Sequence, residues 1–142
     1  MTLDHHRILT DAIRLALTLV LALPLGWERE RHARSAGLRT YPLVSACVCG
    51  FLLLAQQSAG GPGAQADVFY GVLSGIGFVG SGAVFKSSNG ARGMSTAVSL
   101  WVTGAIGAGV AYETPLISAA LGWRTATRMS RRSANAPLSR AW

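Results

Sequence analysis

Charged side chains are missing from two long stretches of this sequence. Between residues 40 and 85 the only Asp, Glu, Lys, Arg or His is Asp67, and between residues 93 and 112 there is none. Only 13% of the chain is charged, against roughly 25% in an average soluble domain. Lipid covers apolar surface without any need for charge. The sequence therefore predicts an all-α membrane protein and argues against a water-soluble globule.

Four apolar segments are predicted to cross the membrane as helices, namely residues 8–27, 41–56, 68–85 and 94–112. A weak fifth segment at 115–123 is too short for a hydrocarbon core of about 30 Å at a rise of about 1.5 Å per residue. We therefore expect a polytopic helical bundle of four strong spans and a weak short fifth over residues 1–123. A basic, disordered tail is expected over residues 124–142.

The basic residues predict the orientation of the bundle. Arginines crowd the connection at 28–39, and Lys86 and Arg92 lie in the third connection, whereas the connection at 57–67 has no Lys or Arg. The positive-inside rule places the first and third connections in the cytoplasm and the N-terminus in the periplasm. We expect the basic tail to return to the cytoplasmic side. The net charge of +7 then indicates contact with anionic lipid rather than with nucleic acid.

Glycines in the third segment spell a nucleotide-binding pattern. Gly75, Gly77 and Gly80 match G-x-G-x-x-G, but that fingerprint needs a strand before it and an acidic residue about 20 positions later. The glycines lie instead inside an apolar run, where small residues four apart let helices approach closely. The residues predicted to pack helices in this way are Gly71, Gly75, Gly77, Gly80, Ser81, Gly104 and Gly107. Glycines that break the helix and expose its backbone to an ion are the alternative.

Polar residues at the segment ends form the candidate functional cluster. Asp11 and Arg14, three residues apart, either neutralise each other inside the membrane or reach the outer interface. Glu28 is positioned to pair with Arg39 or Arg92. The cluster would bind an acidic partner, lipid headgroups or an anion, or would act as a structural clamp. Its predicted members are Asp11, Arg14, Glu28, Arg29, Arg39, Thr40, Lys86, Arg92 and Thr96.

Catalytic groups are not evident in the sequence. No base is placed near Ser74 or Ser81, and no carboxylate pair has the spacing expected in a bundle. Cys47 and Cys49 are two residues apart, so on a helix they face different sides, which disfavours a disulfide or a metal pair. The sequence predicts no catalytic residue and no cofactor, and it leaves metal binding open.

Two sequence blocks carry a resemblance to a known family. The block at 26–40 reads "GWERERHARSAGLRT", and the block at 74–107 reads "SGIGFVGSGAVFKSSNGARGMSTAVSLWVTGAIG". Together they resemble the membrane domain of the MgtC/SapB family of bacterial inner-membrane proteins over about residues 15–111. The resemblance implies an all-helical domain, usually of about five spans. Many family members also have a longer fifth helix and a soluble C-terminal domain, which the residues after 112 do not match.

The resemblance also implies a role. Family members are associated with growth under magnesium limitation and with survival of some pathogens inside host cells, and they are thought to act on other membrane machinery, including the ATP synthase. We therefore expect a non-enzymatic regulatory protein whose partners are membrane lipid, a larger membrane complex and, as a further option, other copies of the chain. A magnesium transporter or channel component is the alternative, disfavoured by the few carboxylates near the spans. An enzyme acting on lipid is a remote third.

Overall fold

The structure is a computed structural model that describes residues 5–31, 37–58, 60–87 and 90–134. These residues form five helices and a short antiparallel hairpin. In chain order the elements are α1 (His5–Arg31), α2 (Thr40–Gln57), α3 (Gly61–Gly82), β1 (Phe85–Ser87), β2 (Gly90–Arg92), α4 (Met94–Ala111) and α5 (Pro115–Ala134). The predicted all-helical class is confirmed, and the hairpin is an addition that the sequence analysis did not foresee.

The predicted bounds hold best for α2 and α4, which each differ from the sequence prediction by one residue at most. α1 extends beyond its apolar run to Arg31, and Arg29 and Arg31 lie in its last turn, where cations interact favourably with the helix dipole. α3 begins at Gly61, seven residues earlier than predicted, with a proline near its first position. Proline fits there because the first amide groups of a helix lack a partner within the helix.

The hairpin joins α3 to α4 and requires a glycine at its end. Phe85 pairs with Arg92 across the two strands, and Gly93 follows with a φ of 89°. A Cβ on Gly93 would overlap the backbone carbonyl of Ala83. Only glycine adopts this left-handed backbone without strain, so this position turns the chain directly into α4.

α4 lies at the centre of the bundle and packs against α1, α2, α3 and α5. The main core forms mostly between α2 and α4, with one residue from α3. Its buried members are Val48, Cys49, Leu52, Leu53, Ile76, Val110 and Ala111. By contrast, Ile76 and Gly80 are the only buried residues of α3. α3 is therefore an edge helix of the described bundle.

The bundle has two ends with different connections. At the hairpin end, which we define by the β1–β2 hairpin, Arg29 of α1 reaches Ser95 near the start of α4. At the turn end, defined by residues 112–114 between α4 and α5, Gln57 of α2 donates a hydrogen bond to Asp11 of α1. Successive helices from α1 to α4 therefore alternate in direction.

α5 continues this alternation and corrects the prediction of a disordered tail. Ser118 donates a hydrogen bond to the carbonyl of Ile106, and Gly122 lies close to Leu21, so α5 runs antiparallel to α4 and parallel to α1. Residues 124–134 extend the helix towards the hairpin end. Helix-forming Ala and Arg residues and cations near its C-terminus favour this extension. Residues 135–142 of the predicted tail lie outside the described residues.

Within the described residues, three helices are long and apolar enough to cross a membrane, namely α1, α2 and α4. The predicted count of four strong spans is therefore not confirmed, because α3 is not among them. Its 22 residues are sufficient in length, but glycines and the polar Gln65 and Asp67 dilute its apolar character. α5 is also outside this group, since its second half is rich in arginine.

Candidate functional site

The glycine pattern of α3 lies in the middle of an unbroken helix. Gly75, Gly77 and Gly80 all fall inside Gly61–Gly82, and the strand–turn–helix arrangement that cradles a pyrophosphate is not formed around them. The prediction that these glycines are helical is confirmed. The alternative of a helix broken at the glycines is not what the structure has.

Three of the predicted packing glycines bring helices together inside the chain. A Cβ on Gly107 would overlap the backbone carbonyl of Ser45 in α2, and one on Gly104 would overlap the side chain of Ile76 in α3. Gly80 is buried against Ala97 of α4, with 3.7 Å between a Cβ at Gly80 and that of Ala97. These positions let α4 approach both neighbours closely, as small residues do in membrane bundles.

The space beside the other predicted packing residues is left open or nearly open by this chain. Gly71 and Gly75 are exposed, and nothing lies within 4 Å of a Cβ built on either. Gly77 has only the ring of Trp101 nearby, at 3.9 Å. The exposed Ser81 hydroxyl donates to the carbonyl of Phe78 in its own helix. For these four residues, packing within the chain is not the explanation.

Gly71 and Gly75 line an open apolar groove between α2 and α3, with a volume of about 780 Å³. Arg39 and Thr40 lie at one end of it. The walls, which we call the α2–α3 groove, include Leu43, Cys47 and Phe51 of α2 and Val68, Gly71, Gly75 and Val79 of α3. The glycines give the groove its depth because they add no side chain to its α3 wall.

A second surface of α3 faces away from the bundle. Its members recur every three or four residues and are all exposed, and we call them the outer face of α3: Asp67, Tyr70, Ser74, Phe78 and Ser81. Phe78 is 80% exposed and Tyr70 is 68% exposed. Small serines alternate here with large aromatic rings. The surface therefore has recesses at the serines and protrusions at the rings.

Arg29 is the predicted polar residue that the structure buries most clearly, at 4% exposure. Its Nε donates to the Ser99 hydroxyl at 3.2 Å, and its Nη2 donates to the Ser95 hydroxyl at 3.0 Å. Nη2 also donates to the carbonyl of Ser95. The guanidinium therefore fastens the end of α1 to the start of α4.

Tyr41 lies near the same buried guanidinium, and Thr96 is buried nearby in sequence on α4. Tyr41 is fully buried, and its hydroxyl interacts electrostatically with Arg29 and Ser99, although its geometry falls short of a hydrogen bond. Thr96, a predicted member of the cluster, is 6% exposed. Ser95 and Ser99 were missed by the sequence analysis, although polar residues at 95, 99 and 103 repeat every fourth position along one face of α4.

The remaining predicted residues at the hairpin end lie nearer the surface. Glu28 is half-buried, Thr40 is half-buried, and Arg39, Lys86 and Arg92 are exposed. The proposed pairing of Glu28 with Arg39 or Arg92 stays a prediction. His32 and Arg34 of the same connection lie outside the described residues.

At the turn end, polar residues line a cavity of about 460 Å³. Arg14 Nη1 lies 4.0 Å from Asp11 Oδ1, and its Nη2 forms an ion pair with Glu113. Gln57 Nε2 donates to Asp11 Oδ2 at 2.8 Å. Asp11 and Arg14 thus come together at one end of the bundle, a position that fits the second of the two alternatives, in which both side chains reach an interface. Glu113, which follows α4, was not foreseen.

Metal-ligating side chains do not gather in the described part of the chain, where no group of three His, Cys, Asp or Glu residues could hold an ion. Asp11 and Glu113 both line the cavity at the turn end, but Arg14 forms ion pairs with both of them. Cys47 is exposed and Cys49 is buried, both as free thiols, so the two face different sides as predicted.

Comparison with known proteins places most of the chain in one family. Residues 15–131 match the MgtC family. Protein MgtC of Brucella abortus (strain 2308) is 37% identical over 93 residues, which cover 66% of this chain. Protein MgtC of Salmonella typhimurium (strain 14028s) is 33% identical over 95 residues, covering 67% of this chain. No solved structure matches the chain.

The similarity covers only part of these relatives. The matched residues span 39% of the Brucella protein and 40% of the Salmonella protein. The remaining three-fifths of each relative is not matched by this chain.

Proposed function

Because the chain belongs to the MgtC family, we propose that it is a non-enzymatic protein of the bacterial inner membrane that docks onto a larger membrane complex and modulates it. The observation that carries this proposal is the outer face of α3. Two small residues, Ser74 and Ser81, lie there about two helical turns apart, and the chain itself leaves them uncovered. In lipid, where the hydrophobic effect does not drive helices together, such surfaces favour contact with another helix.

The outer face also has the composition of an interface centre. Phe78 and Tyr70 supply two large rings that project from the bundle, and aromatic residues are enriched among the residues that dominate binding energy. Ser74 and Ser81 lie on either side of Phe78 along the same face and leave room for a partner's side chains. The buried Arg29 fastens α1 to α4, and α4 is the helix against which both buried residues of α3 pack.

Purification from native membranes in mild detergent tests the proposal. We expect a stoichiometric membrane complex to accompany the wild-type protein and to be lost in Ser74→Leu and in Ser81→Leu, because a larger side chain blocks close approach. Ala16→Leu is the matched control, since Ala16 is exposed on α1 and undergoes the same change in size. Retention of the complex by both serine variants would exclude the outer face as the docking surface.

The resemblance in sequence suggests where to look for the partner. The ATP synthase is the first complex to test, in cells grown under magnesium limitation or under the stress of an intracellular environment. Purification of the protein alone, or only with further copies of itself, would contradict the proposed modulation of a larger complex.

A cation transporter is the second candidate, and the polar turn-end cavity favours it. Asp11, Gln57 and Glu113 offer oxygen ligands there, the type that Mg²⁺ prefers. The apolar core between α2 and α4 lies beyond that cavity, which makes a continuous route costly for an ion. Magnesium flux into proteoliposomes at a controlled membrane potential decides between the two candidates, and a flux above that of empty liposomes would favour transport.

A further inference from the structure

We infer that the α2–α3 groove is a binding site for one anionic phospholipid, with an acyl chain between the helices and the phosphate group at Arg39. This site is separate from the outer face of α3, and it does not depend on the docking of a protein partner.

The lining of the groove divides into two chemically different parts. Apart from Arg39 and Thr40, its walls are apolar or carry only the thiol of Cys47. Arg39 is exposed at one end, and its guanidinium forms strong charge-assisted hydrogen bonds with phosphate. A ligand that suits both parts has an anionic head and a long apolar tail, which is the chemistry of an anionic phospholipid.

The length of the groove matches one leaflet of the membrane. On α2 it runs from Thr40 to Phe51, and on α3 from Val79 back to Val68. Each stretch has twelve residues and is roughly 17 Å long at a rise of about 1.5 Å per residue. This is about half of a hydrocarbon core that is about 30 Å thick. A partner helix would need a face along the whole core, whereas an acyl chain needs only the depth of its own leaflet.

The position of the cation is also right for a lipid. Arg39 immediately precedes α2, at the hairpin end, where a headgroup would meet the protein. Lys86 and Arg92 belong to the hairpin at this same end, and clustered cations of this kind attract anionic headgroups. By the distribution of arginines this is the cytoplasmic side, so the lipid would come from the inner leaflet.

The absence of side chains at Gly71 and Gly75 gives the groove its capacity. Both glycines are one helical turn apart, and nothing occupies the space within 4 Å of a Cβ at either position. The volume of about 780 Å³ lies within the range of roughly 300–1,000 Å³ that is typical of small-molecule sites. Gly71 and Gly75, which do not pack helices within the chain, therefore serve to admit a flexible acyl chain.

Native mass spectrometry of the purified protein tests this inference. Phosphatidylglycerol and phosphatidylcholine with identical acyl chains are the two probes. We expect one phosphatidylglycerol molecule per protein, bound more tightly than phosphatidylcholine. Arg39→Gln should reduce that preference roughly tenfold, as expected for the loss of one hydrogen bond to a charged group. Arg128→Gln is the matched control, because Arg128 is an exposed cation of α5 that neither lines the groove nor belongs to the hairpin.

Two variants fill the groove from opposite walls, so that a folding defect in one does not decide the result. Gly75→Phe acts from α3 and Cys47→Trp from α2, and either variant that keeps the wild-type unfolding temperature should retain neither lipid. Unchanged lipid binding in such a variant, or an unchanged preference in Arg39→Gln, would overturn the assignment. A wild-type dimer without lipid that Gly75→Phe dissociates would also overturn it, because the groove would then hold a second copy of the chain.

Discussion

α3 and α4 carry the same kind of small-residue pattern but use it differently. In α4, neighbouring helices occupy the space beside Gly104 and Gly107, whereas Gly71 and Gly75 of α3 face open space. The difference follows from position, since α4 packs against every other helix and α3 packs mainly against α2 and α4. A small-residue pattern therefore predicts that something comes close to a helix, but not whether this is the chain itself, a lipid or another protein.

The largest loss of stability is expected at Gly107 of α4, which lies against the backbone of α2. Gly107→Leu places a side chain against the carbonyl of Ser45, which cannot move aside without shifting α2. We expect a loss of about 3 kcal/mol in the free energy of unfolding, the upper end of the usual cost of overpacking a core, because the obstacle is backbone. Unfolding in a denaturing detergent titration measures it.

Gly75→Leu is the counterpart in α3, with the same change in size at a position that has no neighbour within 4 Å. Its stability should stay within about 0.5 kcal/mol of the wild type, as is usual for surface changes. Equal destabilisation by the two variants would contradict the distinction between the two helices.

An intermediate effect is expected from the contact that holds α4 to α1. Arg29→Ala removes the hydrogen bonds to Ser95 and Ser99. It should lower the free energy of unfolding by about 1.5–3 kcal/mol, the range for hydrogen bonds to a charged group. Arg92→Ala, which removes an exposed cation, should change it by less than about 0.5 kcal/mol. A similar loss in both variants would mean that net charge, and not the buried contact, is responsible.

The smallest loss of stability is expected at Glu113, which follows α4 at the turn end. Glu113 is 74% exposed where it pairs with Arg14, and exposed ion pairs contribute about 0–1 kcal/mol. Glu113→Gln should therefore lower the unfolding temperature only slightly in low salt. The difference from wild type should vanish at 1 M salt, where the Debye length is about 3 Å. A difference that persists in high salt would indicate a hydrogen-bonded role beyond charge.

The helices could be predicted where composition alone decides them. α2 and α4 are continuous apolar runs, and their bounds follow from the sequence to within one residue. The start of α3 was missed because "AGGPG" is typical of a loop, although Pro62 is also compatible with the first turn of a helix. The second half of α5 was missed because its arginines suggest a solvated tail.

The contacts between helices were harder to predict than the helices. The sequence analysis placed Arg29 in the polar cluster, but its partners depend on which helix lies beside α1, and they come from a stretch of α4 that contains no charge. Asp11 and Arg14 could be paired from their spacing, since residues three apart on a helix are neighbours. The pairing of Glu113 with Arg14 could not be predicted in this way, because the two residues are 99 positions apart in the sequence. The φ of 60° at Glu113 is likewise a property of the turn.

The central position of α4 has a consequence for biogenesis. Both buried residues of α3, Ile76 and Gly80, contact α4, which leaves the ribosome only after α3 and the hairpin. Membrane helices first insert and then associate, so a nascent chain that ends before residue 94 would hold α3 with little to anchor it. α1 and α2 can pack before α4 is made, whereas the burial of α3 should be completed only in a late step. Ribosome stalling within α4 should therefore leave an α3 that membrane proteases recognise.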